Sequence, residues 1–173
     1  MVKLVVVGLG NPEENRSNTR HNLGFKQLNA VCYGPWQLFE RYAACQADDV
    51  LYVKPLTGMN SSGLVVAEIM QTYAFQPHKL LVVHDDMDLQ FGRWQVKFGG
   101  GNAGHNGLKS IEQELGTSDF CRLRLGIGRP ADKRYLPWVL GDFSTQEIQD
   151  LSSVLATGAL AVQCWADNAR PWS

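Results

Sequence analysis

Met1-Val2-Lys3-Leu4-Val5-Val6-Val7-Gly8-Leu9-Gly10-Asn11-Pro12 opens the chain, and within it Leu4 to Val7 is an unbroken, largely β-branched apolar run that stops at Gly8. Apolar runs without polar alternation form strands covered on both faces, so this stretch predicts the central strand of a sheet with helices on either side. From Asn22 onward Leu28, Val31 and Cys32 recur at helical spacing until Gly34-Pro35 halts the pattern, which gives the order strand, loop, helix.

The alternation continues downstream. Leu38 to Cys45 and Val50 to Val53 flank Ala47-Asp48-Asp49 and read as a strand pair closed by Pro55. Ser61 or Ser62 can cap a helix to about Ala74, with Val66, Ile69, Met70 and Tyr73 turned inward. Leu80 to Val83 is another apolar strand, ending at His84-Asp85, and Arg93 to Phe98 another. A glycine-rich loop, residues 99–104, then leads to a helix from about Asn106 to Leu115. Arg122 to Ile127 alternates as a strand with one polar face, which places both of its arginines on the same side. Ser144 and Glu147 form a capping-box pattern ahead of a terminal helix carrying Ile148, Leu151, Leu155 and Val162, despite Gly158. Strands alternating with helices predict the α/β class. The expected form is a single-domain three-layer sandwich over residues 1–173, its twisted β-sheet mixed but largely parallel and flanked by helices.

With 45% hydrophobic and 19% charged residues the composition is that of a globular protein, which excludes a disordered or fibrous chain. The amino-terminal apolar run is too short for a signal peptide or a membrane span, so a cytoplasmic protein with no membrane partner is expected. Cys32, Cys45, Cys121 and Cys164 contain no Cys-x-x-Cys pair; they argue against a zinc knuckle or a redox dithiol and read as buried thiols. The net charge of -1 hides an asymmetry, because residues 93–134 hold eight Lys or Arg against four acids. A basic segment suits a phosphate-rich partner.

In α/β folds sites gather at the carboxyl ends of strands. Gly8 to Asn11 and His84 to Asp88 both fall there. Gly8-Leu9-Gly10-Asn11-Pro12-Glu13 begins like a dinucleotide fingerprint but has Glu13 where the third glycine belongs. His84-Asp85-Asp86-Met87-Asp88 offers metal-ligand types, yet alternate residues of an extended segment face opposite ways, so only some of them share a direction. One of these carboxylates can instead orient a histidine, and His21, in a polar loop entering a helix, is the natural candidate for a base that accepts a proton near neutrality. The loop from Gly99 to Gly107 offers backbone amides to an anion, or simply turns tightly; Lys97, Lys109, Arg122 and Arg124 around it suit a phosphate clamp or a solvated face. No Gly-x-Ser-x-Gly elbow and no cysteine nucleophile signature is present, which favours direct attack by water.

Gly8-Leu9-Gly10-Asn11-Pro12, Thr19-Arg20-His21-Asn22, Met59-Asn60, His84-Asp85, Gly104-His105-Asn106-Gly107-Leu108-Lys109 and Arg122-Leu123-Arg124-Leu125-Gly126-Ile127-Gly128 together resemble the bacterial-type peptidyl-tRNA hydrolase family. The resemblance implies hydrolysis of the ester between peptide and tRNA, which frees tRNA for reuse in translation. It implies no cofactor, no metal, no stable protein partner and a monomer. By the same resemblance His21 is the general base, Asp85 supports it, and Asn11 recognises the peptide end and positions the carbonyl. Met59, Asn60 and Asn106 would line the cleft, while Lys97, His105 and Arg124 correspond to a tRNA-contacting surface. The chain departs from the family pattern at Arg16, where a tyrosine is usual, at Gly58, where an aromatic is usual, and at Glu13 and Ala103, where a glycine is usual. The two missing aromatics would be stacking or wall residues, so tRNA contacts at Arg16 and Gly58 are not carried over.

Two other readings compete. A non-catalytic RNA-binding protein on the same fold would not need His21, Asn11 and Asp85 together, and a nucleotide-dependent enzyme would need the missing third glycine or a Gly-Lys-Ser/Thr loop. Residues 136–143 are expected to form a loop near the cleft, and the sequence does not show whether it moves as a lid.

Overall fold

The opening stretch does become a central strand. In the computed structural model, which describes residues 1–170, β1 (Leu4–Gly8) is buried along its whole length. It lies between β4 (Val50–Pro55) and β5 (Leu80–Asp86) and runs parallel to both. The remaining strands are β2 (Gln37–Leu38), β3 (Tyr42–Ala47), β6 (Trp94–Phe98) and β7 (Cys121–Gly126). The sheet order is β2-β3-β4-β1-β5-β7-β6. β7 joins β5 in parallel, whereas β2 on β3, β3 on β4 and β6 on β7 are antiparallel. The sheet is therefore parallel at its centre and antiparallel at its edges.

Successive residues of a strand point to opposite faces, and β1 supplies both cores. Leu4 and Val6 pack with Leu28, Val83, Val162 and Trp165 beneath α1 (Leu23–Val31) and α5 (Thr145–Ala169). Val5 and Val7 pack with Val66, Ile69 and Ile111 beneath α2 (Ser62–Thr72) and α3 (Asn106–Leu115). The three-layer α/β sandwich follows. Gly158 is tolerated in the middle of α5 because buried Gln27 packs there; a Cβ at 158 would lie 1.9 Å from Gln27 Oε1. The capping box forms as read, with Glu147 N donating to Ser144 Oγ and Ser144 N to Glu147 Oε1.

Several local expectations change. Residues 38–45 are not one strand: β2 ends at Leu38, and the chain turns back before β3, so that Phe39 N donates to Tyr42 O. Neither serine caps α2 with its side chain, and Ser62 Oγ instead donates back to Met59 O. Tyr73 is exposed rather than inward. Cys32 and Cys45, 13 residues apart, form a disulfide between the end of α1 and β3, and Cys164 is exposed, so only part of the buried-thiol reading holds. Their pairing depends on how α1 packs on the sheet, which residue spacing does not encode.

The strand order reverses around β1, which leads the chain to β4 on one side and β5 on the other. A crevice opens at such a switch point. Gly8 and Gly24 let α1 sit hard against it: a Cβ on Gly24 would lie 2.5 Å from the carbonyl oxygens of Leu9 and Val83. This close approach brings the turn that precedes α1 over the ends of β1 and β5.

Candidate active site

His21 lies in that turn, a short 3-10 helix over Arg20–Asn22, and its ring is almost fully buried. Asn22 clasps the loop after β1 at two points, its Oδ1 accepting from Asn11 N at 2.8 Å and its Nδ2 donating to Asn11 O at 2.9 Å. The Asn11 side chain is oriented in turn, because its Oδ1 accepts from Met59 N at 3.2 Å. That leaves the Asn11 amide hydrogens as donors for the cleft.

Asp85, buried on β5, faces two histidines. His21 Nδ1 stands 3.0 and 2.9 Å from its two oxygens, and His105 Nε2 stands 2.9 Å from Oδ1. A carboxylate only accepts, so both facing nitrogens carry protons. For His105 the tautomer is fixed independently: it is the N-cap of α3, and its Nδ1 accepts from Gly107 N and Leu108 N at 3.1 and 3.4 Å. His21 is thereby left with its Nε2 lone pair for the cleft.

The three donor groups lie within 4.8 Å of one another, close enough to hold a cation. The hydrogen bonding does not fit one. A metal on His105 Nε2 needs the lone pair there, whereas the α3 amides require it on Nδ1, and a ligating histidine normally donates through its other nitrogen. The cluster is built to hold protons.

Burial lowers the His21 pKa, but the charge and hydrogen bond of Asp85 together raise it above the ordinary histidine value, with the Arg16 charge opposing. Burial raises the Asp85 pKa, yet the two histidines outweigh it and hold the carboxyl well below the usual range. His84, the preceding residue, is pushed down to about 4, by burial first and by neighbouring His105 second. It is a neutral ring whose Nδ1 donates to Asp85 O at 2.8 Å.

Two cavities meet at His21. Asn11, Arg16, Gly58, Met59, Asn60 and Asn106 line one of about 450 Å³. Asp85, His105, Asn102 and Ala103 line another of about 230 Å³, together with Tyr135, Leu136 and Val139. Next to the second lies a hollow lined by Lys97, Arg124, the buried Arg122, the carboxylates Asp86 and Asp88, and Gly99, Gly101, Asn102 and Ala103 of the glycine loop.

The sequence-predicted residues thus converge, with adjustments. Asn11, His21, Met59, Asn60, Asp85 and Asn106 share the cleft, and Arg16 and Gly58 lie on their side of it, away from Lys97 and Arg124. His105, grouped by sequence with the tRNA-contacting residues, is turned inward to Asp85. Arg122 does share a face with Arg124, but it is buried beneath the glycine loop, donating to Gly100 O, Gly101 O and Glu112 and lying over Phe120. It holds the loop and offers no phosphate clamp. Arg124 donates to Asp86 at 2.8 Å and to Gln95 and stays partly exposed; Lys97 is exposed with no ion pair among the described residues. The loop's amides at Gly107 and Leu108 are taken by His105, so the loop serves to aim a histidine.

Sequence reasoning missed Asn22, His84 and Arg20 as site-building residues. Asn22 was signalled by its place beside His21; Arg20 was not, because its partners are distant. Arg20 pairs with Glu147 at 2.7 Å, donates to Trp138 O and lies 3.6 Å from the Trp138 ring centroid. It ties the turn that carries His21 to α4 (Tyr135–Val139) and to the start of α5. The segment read as a loop is partly helical, and Gly141 to Phe143 is bound to residues 18–20.

An α/β sandwich with a buried carboxylate aiming a histidine into an amide-lined cleft is the arrangement of a hydrolase. The peptidyl-tRNA hydrolase family model matches residues 5–171. The chain is 44% identical over 168 residues to a peptidyl-tRNA hydrolase of Thermus thermophilus, covering 96% of this chain and 91% of the relative. It is 42% identical to one of Neisseria meningitidis, covering 91% and 88%. A crystal structure of the peptidyl-tRNA hydrolase of Acinetobacter baumannii superposes with a TM-score of 0.84 at 31% identity, covering 98% of this chain and 94% of that one. The chain belongs to the peptidyl-tRNA hydrolase family and is an enzyme. These relatives are all named as hydrolases, which leaves the RNA-binding alternative without support.

Proposed function

We propose that the chain cleaves the ester joining a peptide to the terminal ribose of tRNA by direct attack of water, with His21 as general base. The observation that carries this reading is the placement of Asp85 against His21 Nδ1, which leaves the opposite ring nitrogen free to take a proton in the cleft. Water gives a proton to His21 Nε2 as its oxygen adds to the ester carbonyl. Amide hydrogens of Asn11 and Asn106 stabilise the oxyanion. Collapse breaks the carbon to ribose-oxygen bond, and the imidazolium returns its proton to the leaving oxygen. The products are a peptide acid and free tRNA. Asp85 orients His21 and stabilises its charged form; His105 positions Asp85.

Met59 and Asn60 sit on the peptide side of the cleft, Lys97 and Arg124 on the side of the tRNA phosphates. Phosphate contacts supply affinity without base choice. The same reading takes the chain as one domain, a cytoplasmic monomer acting without metal or cofactor, with α4 as the roof of the cleft. No described helix is long and apolar enough to cross a membrane. His21→Ala should keep the wild-type melting temperature and lose roughly 10²- to 10⁴-fold in turnover of N-acetylaminoacyl-tRNA. Turnover within a few-fold of wild type would remove His21 from this role.

A further inference from the structure

The peptide side of the cleft contains a charge that the reaction does not use. Arg16 ends the short 3-10 turn Glu14–Arg16 and lines the same cavity as His21, Asn11 and Asn60. Its backbone is anchored, with Arg16 N donating to Glu13 O and Arg16 O accepting from both Thr19 N and Thr19 Oγ1. Its guanidinium has no ion-pair or hydrogen-bond partner among the described residues. Its charge nevertheless reaches His21, where it opposes protonation. An unpaired guanidinium half-buried at the wall of a cleft is a ready receptor for a carboxylate, which its planar fork matches.

The same cavity leaves room for a side chain. Gly58 holds φ +85°, and a Cβ built there meets nothing within 4 Å, so the cavity is open at that point. Glu13 lines the same cavity but is not paired with Arg16. An acidic side chain is the class of group that an open pocket with an unpaired arginine selects.

We propose that Arg16 is a specificity-determining residue that favours peptidyl-tRNAs carrying an Asp or Glu side chain at or next to the esterified residue, received in the space left by Gly58. This role rests on Asn11, Met59 and Asn60 marking the peptide side. It assigns Arg16 to the peptide, separate from the phosphates served by Lys97 and Arg124.

The test uses one tRNA acylated in turn with N-acetyl-Asp, N-acetyl-Asn and N-acetyl-Lys, and a second series carrying these residues one position earlier. Wild-type enzyme should show a kcat/KM for Asp over Asn of about fivefold in at least one series, shrinking as salt rises. Arg16→Gln should bring that ratio to one, and Arg16→Lys should retain most of it. Stable amide-linked 3′-(N-acetyl-aspartylamino)adenosine and its asparagine counterpart give the same comparison by calorimetry, independent of turnover. A wild-type ratio of one, a ratio unchanged in Arg16→Gln, or a preference for Lys, which would assign the pocket to Glu13, overturns the proposal. If Asn11→Ala also leaves KM and kcat for the Asn substrate unaltered, the fault lies in the assignment of the peptide side itself.

Discussion

Asp85 receives a proton donor from each of two histidines, yet the histidines differ in what their second nitrogen does. The Nδ1 of His105 is occupied by the amides of α3, whereas the Nε2 of His21 faces the cleft. Only His21 can serve as base. The pH dependence follows in sign. His21 must be neutral to accept a proton, and Asp85 raises its pKa, so activity should climb with pH through a value above the ordinary histidine pKa near 6.5. Asp85→Asn removes that charge, so the acidic limb of kcat/KM should move to lower pH. The plateau should also fall at least roughly tenfold, because the amide lacks the charge that stabilises the imidazolium and its NH2 sets a donor where the carboxylate had an acceptor for the His21 Nδ1 proton. A plateau lowered with the acidic limb unmoved would separate Asp85 from the titration of His21.

At the scale of elements, the cleft is held by contacts between segments far apart in the chain. Arg20 joins the turn before α1 to α4 and α5, with both members of its ion pair largely buried: side-chain exposure is 8% for Arg20 and 13% for Glu147. Removing one partner of a buried pair leaves the other charge uncompensated. Arg20→Met should lower the free energy of unfolding by about 3 kcal/mol, read from urea titration. A loss below about 1 kcal/mol would show that Glu147 re-solvates easily and that the anchor contributes little. Because Trp138 also donates through Nε1 to Gly128 O, the roof should keep its helix while losing its fixed distance from His21.

Across the whole molecule, charge is sorted by position more than by total. The net charge is -1, yet Lys97 and Arg124 converge on one hollow beside the cleft. The affinity for tRNA should therefore fall as salt rises, and in Lys97→Ala the slope of log K against log salt should be shallower by about 1. An unchanged slope would place the phosphates elsewhere. Arg16, by contrast, lines the cavity shared by Asn11 and Asn60, and its replacement should leave that slope as it is.

The sequence by itself determined the fold class, and its resemblance to the family named most of the residues that share the cleft. The apolar run of β1 reads as a doubly covered strand and the helical spacing after Asn22 as a helix, so His21 was legible as a residue of the loop between them. The start of α3 at Asn106 and the capping box at Ser144 were equally legible, because they are set by neighbours a few residues apart. Other features depended on distance in space. Arg122 and Arg124 alternate identically along β7, and only the packing of the glycine loop buries the first and leaves the second near solvent. His105 reads as a basic-surface residue until the cap on α3 fixes its proton and turns it to Asp85. The Cys32–Cys45 pair and the Arg20–Glu147 anchor join segments that local periodicity cannot relate. Local pattern decides which elements form; the energy of burying a charge or satisfying a ring nitrogen depends on what the completed fold brings beside it.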